Sequence, residues 1–137
     1  MLNFVLNAQA VYSSGAPMNT PAVLKSSGRE IVEAEWGRLV WFASGKLGNS
    51  ADMTAGQCII KPGCVNPLHS HPNCSEVLHV VQGAIMHTAA GGAEVRLAEN
   101  DTIVVPPDFP HQARNVGDSD AVLFIAFSSA DRQVKGE

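Results

Sequence analysis

The chain has 137 residues and a net charge of −4, with 45% hydrophobic and 16% charged residues. This length fits one domain, and the composition is typical of a globular protein with its own core rather than a disordered chain. The nine Lys and Arg residues are scattered along the chain and form no basic stripe. The sequence therefore predicts no nucleic acid partner.

The apolar runs are short, and the longest, such as 39–43 and 121–127, fall far below the ~20 residues that a membrane-spanning helix needs. No positive charge precedes the short apolar stretch at the N-terminus, so no signal peptide is predicted. The three cysteines lack CxxC spacing and are interpreted as reduced thiols. Together these features predict a cytoplasmic protein with no membrane partner.

Short runs rich in Val, Ile, Phe and Ala alternate with Gly and Pro turn signals over most of the chain, which predicts an all-β sandwich or barrel. Only the N-terminal segment, 1–35, lacks a clear pattern, and residues 23–35 fit a short helix or an edge strand equally well. The predicted domain organisation is this segment, a barrel over 36–130 and a C-terminal tail over 131–137. The predicted strands are 38–44, 54–61, 76–82, 84–89, 93–97, 102–105, 112–115 and 121–128.

Two of the five histidines and a glutamate are grouped in the middle of the chain. His69 and His71 are two residues apart, so on a strand they point to the same face. Glu76 follows after a Pro-Asn-Cys-Ser segment, a plausible loop that brings a carboxylate back to that face. Imidazole and carboxylate groups bind Zn, Fe, Mn, Co and Ni in proteins. A single His is more often a surface or core residue, but this grouping favours a metal site.

The spacing of these residues resembles the first sequence motif of the cupin superfamily. The segment Gly63-x5-His69-x-His71-x4-Glu76-x6-Gly83 matches that motif at every fixed position. The 16 residues between this motif and the start of the second suit a hairpin and nothing larger.

The second cupin motif is matched less completely. Pro106, His111 and Asn115 stand at its fixed positions, whereas Asn100 and Asp108 replace two of its glycines. Asn and Asp tolerate left-handed backbone better than other residues apart from Gly, so the turns are expected to survive. The resemblance covers residues 56–127.

The resemblance implies a small single-domain cupin, which is an all-β double-stranded β-helix, or jelly-roll barrel. It also implies that one divalent transition metal (Fe, Mn, Zn, Ni or Co) is held at one mouth of the barrel by His69, His71, Glu76 and His111. Four protein ligands leave two positions of an octahedral metal open, for a bidentate substrate or for substrate and dioxygen. Small cupins are often homodimers, so a homodimer is expected.

The predicted function is a metal-dependent enzyme, an oxidoreductase or an isomerase or lyase, that acts on a small oxygen-bearing organic substrate by dioxygenase-like or isomerase-like chemistry. Glu76 is also a candidate for proton transfer. The alternative is a non-catalytic module that binds or senses a small molecule at the metal. The residues leave the metal, the substrate and the reaction open.

Other side chains give weaker signals. His79 is predicted to face away from the metal ligands, because it lies three residues beyond Glu76 on the same strand. The orientation of His87 is left open, with a packing or solvent role favoured. Cys64 and Cys74 flank the histidines and are interpreted as small buried residues. Among the aromatic residues, Phe109 is the one most expected to touch a ligand.

Overall fold

The computed structural model describes residues 20–136, and these form nine strands and two short 3-10 turns. In the same part of the chain no helix is long and apolar enough to cross a membrane. The strands are β1 (Glu30–Ala34), β2 (Gly37–Ala43), β3 (Thr54–Ile60), β4 (Glu76–Gln82), β5 (Ile85–Thr88), β6 (Glu94–Leu97), β7 (Thr102–Val105), β8 (Ala113–Asn115) and β9 (Ala121–Phe127).

The eight strands predicted from the sequence correspond to β2 through β9, and their ends agree to within one residue. The ninth, β1, lies in the segment whose structure the sequence left open. It is an edge strand that pairs antiparallel with β2, and a 3-10 turn over Ser26–Gly28 precedes it. The first 19 residues of that segment lie outside the described part of the chain.

The strands form two antiparallel sheets that enclose the core. The larger sheet has the order β1-β2-β3-β9-β4-β7, and the smaller has the order β6-β5-β8. Alternate residues of β9 are buried, as expected for a strand with one face on a core. The structure is thus the all-β jelly-roll barrel that the sequence predicts. The buried residues of β9 are Ala121, Leu123, Ile125 and Phe127.

The motif positions that require left-handed backbone keep it, whether or not they are glycines. Gly63 and Gly83 have φ angles of 73° and 89°. Asn100 and Asp108, which replace glycines of the second motif, have φ angles of 70° and 62°. The expected tolerance of Asn and Asp for this conformation is confirmed, and both turns are formed.

Asn115, at the end of the second motif, joins the two sheets. Its buried amide nitrogen donates hydrogen bonds to the carbonyl oxygens of Ile60 and Ser119, each at 2.8 Å. Its Oδ1 accepts a hydrogen bond from the backbone N–H of Gly117 at 2.9 Å. This side chain therefore satisfies three backbone groups at once.

Asn115→Ala is expected to lower the free energy of unfolding by about 3 kcal/mol, because it removes three hydrogen bonds to buried or partly buried backbone groups. Arg114→Ala, on the exposed side of the same strand, is the matched control; it loses one exposed ion pair, with Glu94, and should change the free energy of unfolding by less than about 1 kcal/mol. Urea denaturation of both variants measures the difference. Equal stability of the two variants would contradict the role assigned to Asn115.

Candidate metal centre

The four predicted ligands converge at one end of the barrel. Each offers a nitrogen or carboxylate oxygen, and these atoms all lie within 4.8 Å of one another. Glu76 is the first residue of β4, His69 and His71 precede that strand, and His111 lies just before β8. His71, Glu76 and His111 are buried, and His69 is half-buried. The structure thus brings together residues that are up to 42 positions apart in the sequence.

Backbone hydrogen bonds fix the extended segment that carries the first two histidines. His69 and His111 bond to each other through both backbone N–H groups, at 3.1 and 2.8 Å. Ser70, facing the other way, makes the same two-way pairing with Lys135, at 3.0 and 2.9 Å. Lys135, in the predicted C-terminal tail, therefore pairs directly with the segment that carries His69 and His71.

Each of the three histidines is oriented by a hydrogen bond from its Nδ1 to a backbone carbonyl. Because a carbonyl only accepts, each Nδ1 carries the proton and each Nε2 is left as the metal-binding nitrogen. The acceptors are Pro67 for His69 at 2.6 Å, Gln133 for His71 at 2.9 Å and Phe109 for His111 at 2.7 Å.

Glu76 is ionised and tightly paired. When His111 carries a second proton, its Nε2 donates a hydrogen bond to Glu76 Oε2 at 2.9 Å. His71 Nε2 lies 3.3 Å from the same oxygen without hydrogen-bond alignment. Burial alone would raise the pKa of Glu76, but the interactions with His111 and His71 outweigh it and bring that pKa to about 2. Burial alone would lower the pKa of His111, yet the Glu76 carboxylate raises it. A proton and a metal therefore compete for the space between these two groups.

The donor set fits a divalent transition metal. Three imidazole nitrogens and one carboxylate oxygen suit Mn, Fe, Co, Ni and Zn alike. His71 Nε2 is buried without a hydrogen-bond partner, which costs free energy unless an electrophile binds it. A metal held by the four side chains supplies that electrophile.

Removal of the metal is expected to lower the melting temperature by several degrees while the barrel stays folded, since the core does not depend on it. Free metal at ~100 times its dissociation constant contributes about 2.7 kcal/mol. Calorimetry before and after dialysis against a strong chelator, and again after metal is restored, measures the effect. An unchanged melting temperature despite confirmed metal loss would refute it.

A small cavity leads to the metal ligands. The Arg132 guanidinium, which also lines this cavity, lies 4.6 Å from the ring centroid of Trp41 and 5.2 Å from that of Phe127. The sequence carried no signal for Arg132, because it lies in the C-terminal tail, far from both motifs. The rest of the lining is largely apolar and includes Trp36, Leu39, Trp41, Leu78, Ala113, Ile125 and Phe127.

Two histidines lie outside the ligand set. His79 is half-buried on β4 and forms a hydrogen bond to Thr102 Oγ1 at 2.7 Å, on the face of the strand opposite to Glu76, as expected. His87, whose orientation the sequence does not determine, is buried and lines the cavity. Burial lowers the pKa of His87, so the ring is neutral near pH 7.

The other candidates play smaller parts. Phe109 lies outside the lining of the cavity and contributes the carbonyl that orients His111, so its contact with a ligand stays a prediction. Cys74 is buried and Cys64 is half-buried. Cys58, which the sequence did not single out, lines the cavity as a buried thiol, and burial raises its pKa.

A three-histidine, one-glutamate centre inside a two-sheet antiparallel barrel defines a metal-binding protein of the cupin class. The family model described as "Cupin domain" matches residues 56–127, more than half of the chain. The chain therefore belongs to the cupin family.

Two similar curated proteins are plant proteins of greater length. Germin-like protein 3-8 of Oryza sativa subsp. japonica is 39% identical over 85 residues, which is 59% of this chain and 38% of that protein. Auxin-binding protein ABP19b of Prunus persica is 36% identical over 85 residues, 59% of this chain and 41% of that protein. The chain thus spans about two fifths of the length of these relatives.

Similar solved structures include oxalate decarboxylases. The formate complex of the Lactobacillus farciminis enzyme has a TM-score of 0.72 at 21% identity, over 80% of this chain and 34% of that chain. The Bacillus subtilis enzyme, in a structure that concerns its Mn(II) centres, has a TM-score of 0.68 at 23% identity. The match covers 78% of this chain and 29% of that chain. These likenesses show the shared fold.

Proposed function

We propose that this protein is a metal-dependent enzyme that acts on a small organic anion through oxygen atoms bound at the metal. The observation that carries the proposal is the convergence of three oriented imidazoles and one carboxylate at the end of a cavity. Four ligands leave positions open for a substrate, whereas a structural metal site is normally closed by protein.

The charges around the cavity favour an anionic substrate. Glu76 is the one carboxylate among the lining residues in the described chain, and the metal it binds offsets its charge. Arg132 adds a positive guanidinium to the same lining, with the planar geometry that binds carboxylates through two hydrogen bonds. The structural neighbours include enzymes named for oxalate, a small dicarboxylate, and one is a complex with formate. This supports a hydroxy-acid, enolate or small carboxylate as the substrate.

The residues of this chain then have distinct roles. His69, His71 and His111 hold the metal, and their Nδ1 hydrogen bonds keep each ring at a fixed angle. Glu76 is the anionic ligand that reduces the net charge of the centre. The apolar lining excludes water and strengthens the attraction between Arg132 and a bound carboxylate. When bound, the metal supplies Lewis acidity or activates oxygen.

The proposal is tested with protein purified without added metal, whose metal content is measured by elemental analysis. The metal-loaded protein is then incubated with a panel of hydroxy-acids, enols, uronates and oxalate, with and without air. Oxygen consumption and mass spectrometry of the products report turnover, and His111→Ala is the inactive control. Oxygen-dependent turnover would support the dioxygenase-like reaction, and oxygen-independent turnover the isomerase-like or lyase reaction.

Tight binding of a panel member at the metal without conversion under either condition would favour the alternative, a module that binds or senses a small molecule. The homodimer and the cytoplasmic location stay predictions. Light scattering of the purified protein and fractionation of the source cells test them.

A further inference from the structure

A fourth imidazole, that of His87, lies beside the metal ligands. In β5, Ile85 and His87 are the buried positions, and His87 pairs with Ala113 of β8, two residues beyond His111. Its ring lies nearly parallel to that of His111, with 5.5 Å between centroids and 23° between planes. Its side chain is only 1% exposed and lines the cavity.

The Nε2 atom of His87 has the same unusual environment as a metal-binding nitrogen. Within residues 20–136, two buried side-chain nitrogen or oxygen atoms have no hydrogen-bond partner, and these are His71 Nε2 and His87 Nε2. The metal accounts for the first. It does not account for the second, because His87 is not among the four residues whose ligand atoms cluster within 4.8 Å.

The tautomer of His87 determines which partner its Nε2 needs. Its Nδ1 lies 2.8 Å from the Thr88 carbonyl oxygen and donates a hydrogen bond to it. In the neutral ring the Nε2 therefore carries a lone pair and only accepts. The group that satisfies it must be a donor, and a carboxylate or a keto oxygen cannot serve.

We propose that His87 is a specificity-determining residue whose Nε2 accepts a hydrogen bond from a hydroxyl group of a ligand held on the metal. The site then favours a hydroxy-acid or enol over a carboxylate of similar size without an O–H group, since a buried acceptor left unpaired discriminates strongly against the latter. This inference rests on the proposed function, because the metal must hold the ligand within reach of His87.

The test compares glycolate, which carries a hydroxyl group, with oxalate, which carries none when ionised. Protein loaded with Mn²⁺ is titrated with each, and the relaxation rate of water protons reports displacement of water from the metal. His87→Phe keeps a ring beside His111 but removes the acceptor. It should weaken glycolate binding about tenfold and change oxalate binding by less than about twofold.

Three further variants test the same inference. His87→Gln retains an acceptor near the position of Nε2 and should recover most of the affinity for glycolate. His87→Leu replaces the Phe variant if that variant does not fold. His79→Phe, which removes a histidine from the outer face of β4, should change neither affinity.

A His87 with only a packing role would shift the melting temperature of the variants but not the ratio of the two affinities. Equal losses for glycolate and oxalate, or no effect of His87→Phe on glycolate, would overturn the inference and leave the proposed function intact. If neither compound changes the relaxation rate of the wild-type protein, the proposed function fails and the inference fails with it.

Discussion

Glu76→Gln is expected to weaken metal binding strongly while the barrel stays folded. Loss of a residue that only hydrogen-bonds to a metal ligand typically lowers the affinity ~10–100-fold, and loss of the charged ligand itself should lower it further. The amide keeps the shape of the carboxylate and one oxygen donor, so binding is not abolished. The substitution removes the negative charge of Glu76, which attracts His111 at 2.9 Å and offsets part of the charge of the metal. Competition with a chromophoric chelator measures the affinity, and thermal unfolding measures the stability.

Two control variants give the expected extremes, complete loss of metal binding and no change in it. His111→Ala removes a ligand and leaves the buried Glu76 carboxylate without its hydrogen bond, so it should lose both metal and several kcal/mol of stability. His79→Ala removes a half-buried histidine from the opposite face of β4 and should leave the affinity unchanged. An affinity in Glu76→Gln equal to that of the wild-type protein would show that Glu76 is not a ligand.

The same variant separates the two roles considered for Glu76 in a reaction. A carboxylate whose pKa is about 2 is a weak proton acceptor, which argues for a ligand role. Proton transfer by a side chain typically contributes about 10²–10⁴-fold to a rate. We therefore expect turnover of the metal-saturated variant to fall by less than this range. A fall of 10³-fold or more at full metal occupancy would instead assign proton transfer to Glu76.

Most of the barrel is predictable from the sequence because the strands from β2 to β9 lie between Gly, Pro, Asn or Asp turns, and nearly all of them have apolar residues on one face. The edge strand β1 differs, since its three central residues are all exposed. This strand is held by its pairing with β2 rather than by burial of one face, and such pairing leaves no periodic signal in the sequence.

The four candidate metal ligands are predictable because they lie within two motifs with fixed spacing. His87 is not, because Ile85 and Met86 are both apolar and the local pattern does not show which face is buried. The face to which the His87 side chain points is set by the pairing of β5 with β6 on one side and with β8 on the other. Arg132 and the Gln133 carbonyl reach the site because the chain passes it again after β9. Neither motif includes these residues, so motif spacing does not predict their position.

The affinity for metal should also depend strongly on pH. All three imidazoles must be neutral to bind, so protons compete with the metal. Burial lowers the pKa of His69, whereas the Glu76 carboxylate raises that of His111 above its ordinary value of 6.5. The proton on His111 is thus lost at higher pH than the proton on His69. We expect the affinity to fall about tenfold per pH unit below the raised pKa of His111, beginning above pH 6.5.

The stability of the metal-free protein should change with pH in a different way. The lowered pKa of Glu76 contributes stability above its ordinary value of 4.5, and this is lost as pH falls towards 2. The raised pKa of His111 contributes stability below 6.5, and this is lost as pH rises through the raised value. The pair therefore stabilises the metal-free form most between pH 4.5 and 6.5.

These two dependences combine in one measurement, the difference in melting temperature between metal-loaded and metal-free protein. Because metal binds more tightly at higher pH while the metal-free form loses the His111–Glu76 ion pair, the difference should grow from pH 5 to pH 8. Calorimetric titration in buffers with different ionisation enthalpies should also show about one proton released per metal near neutral pH. A difference that is constant over this range, together with no proton release, would contradict a site in which the metal replaces the proton between His111 and Glu76.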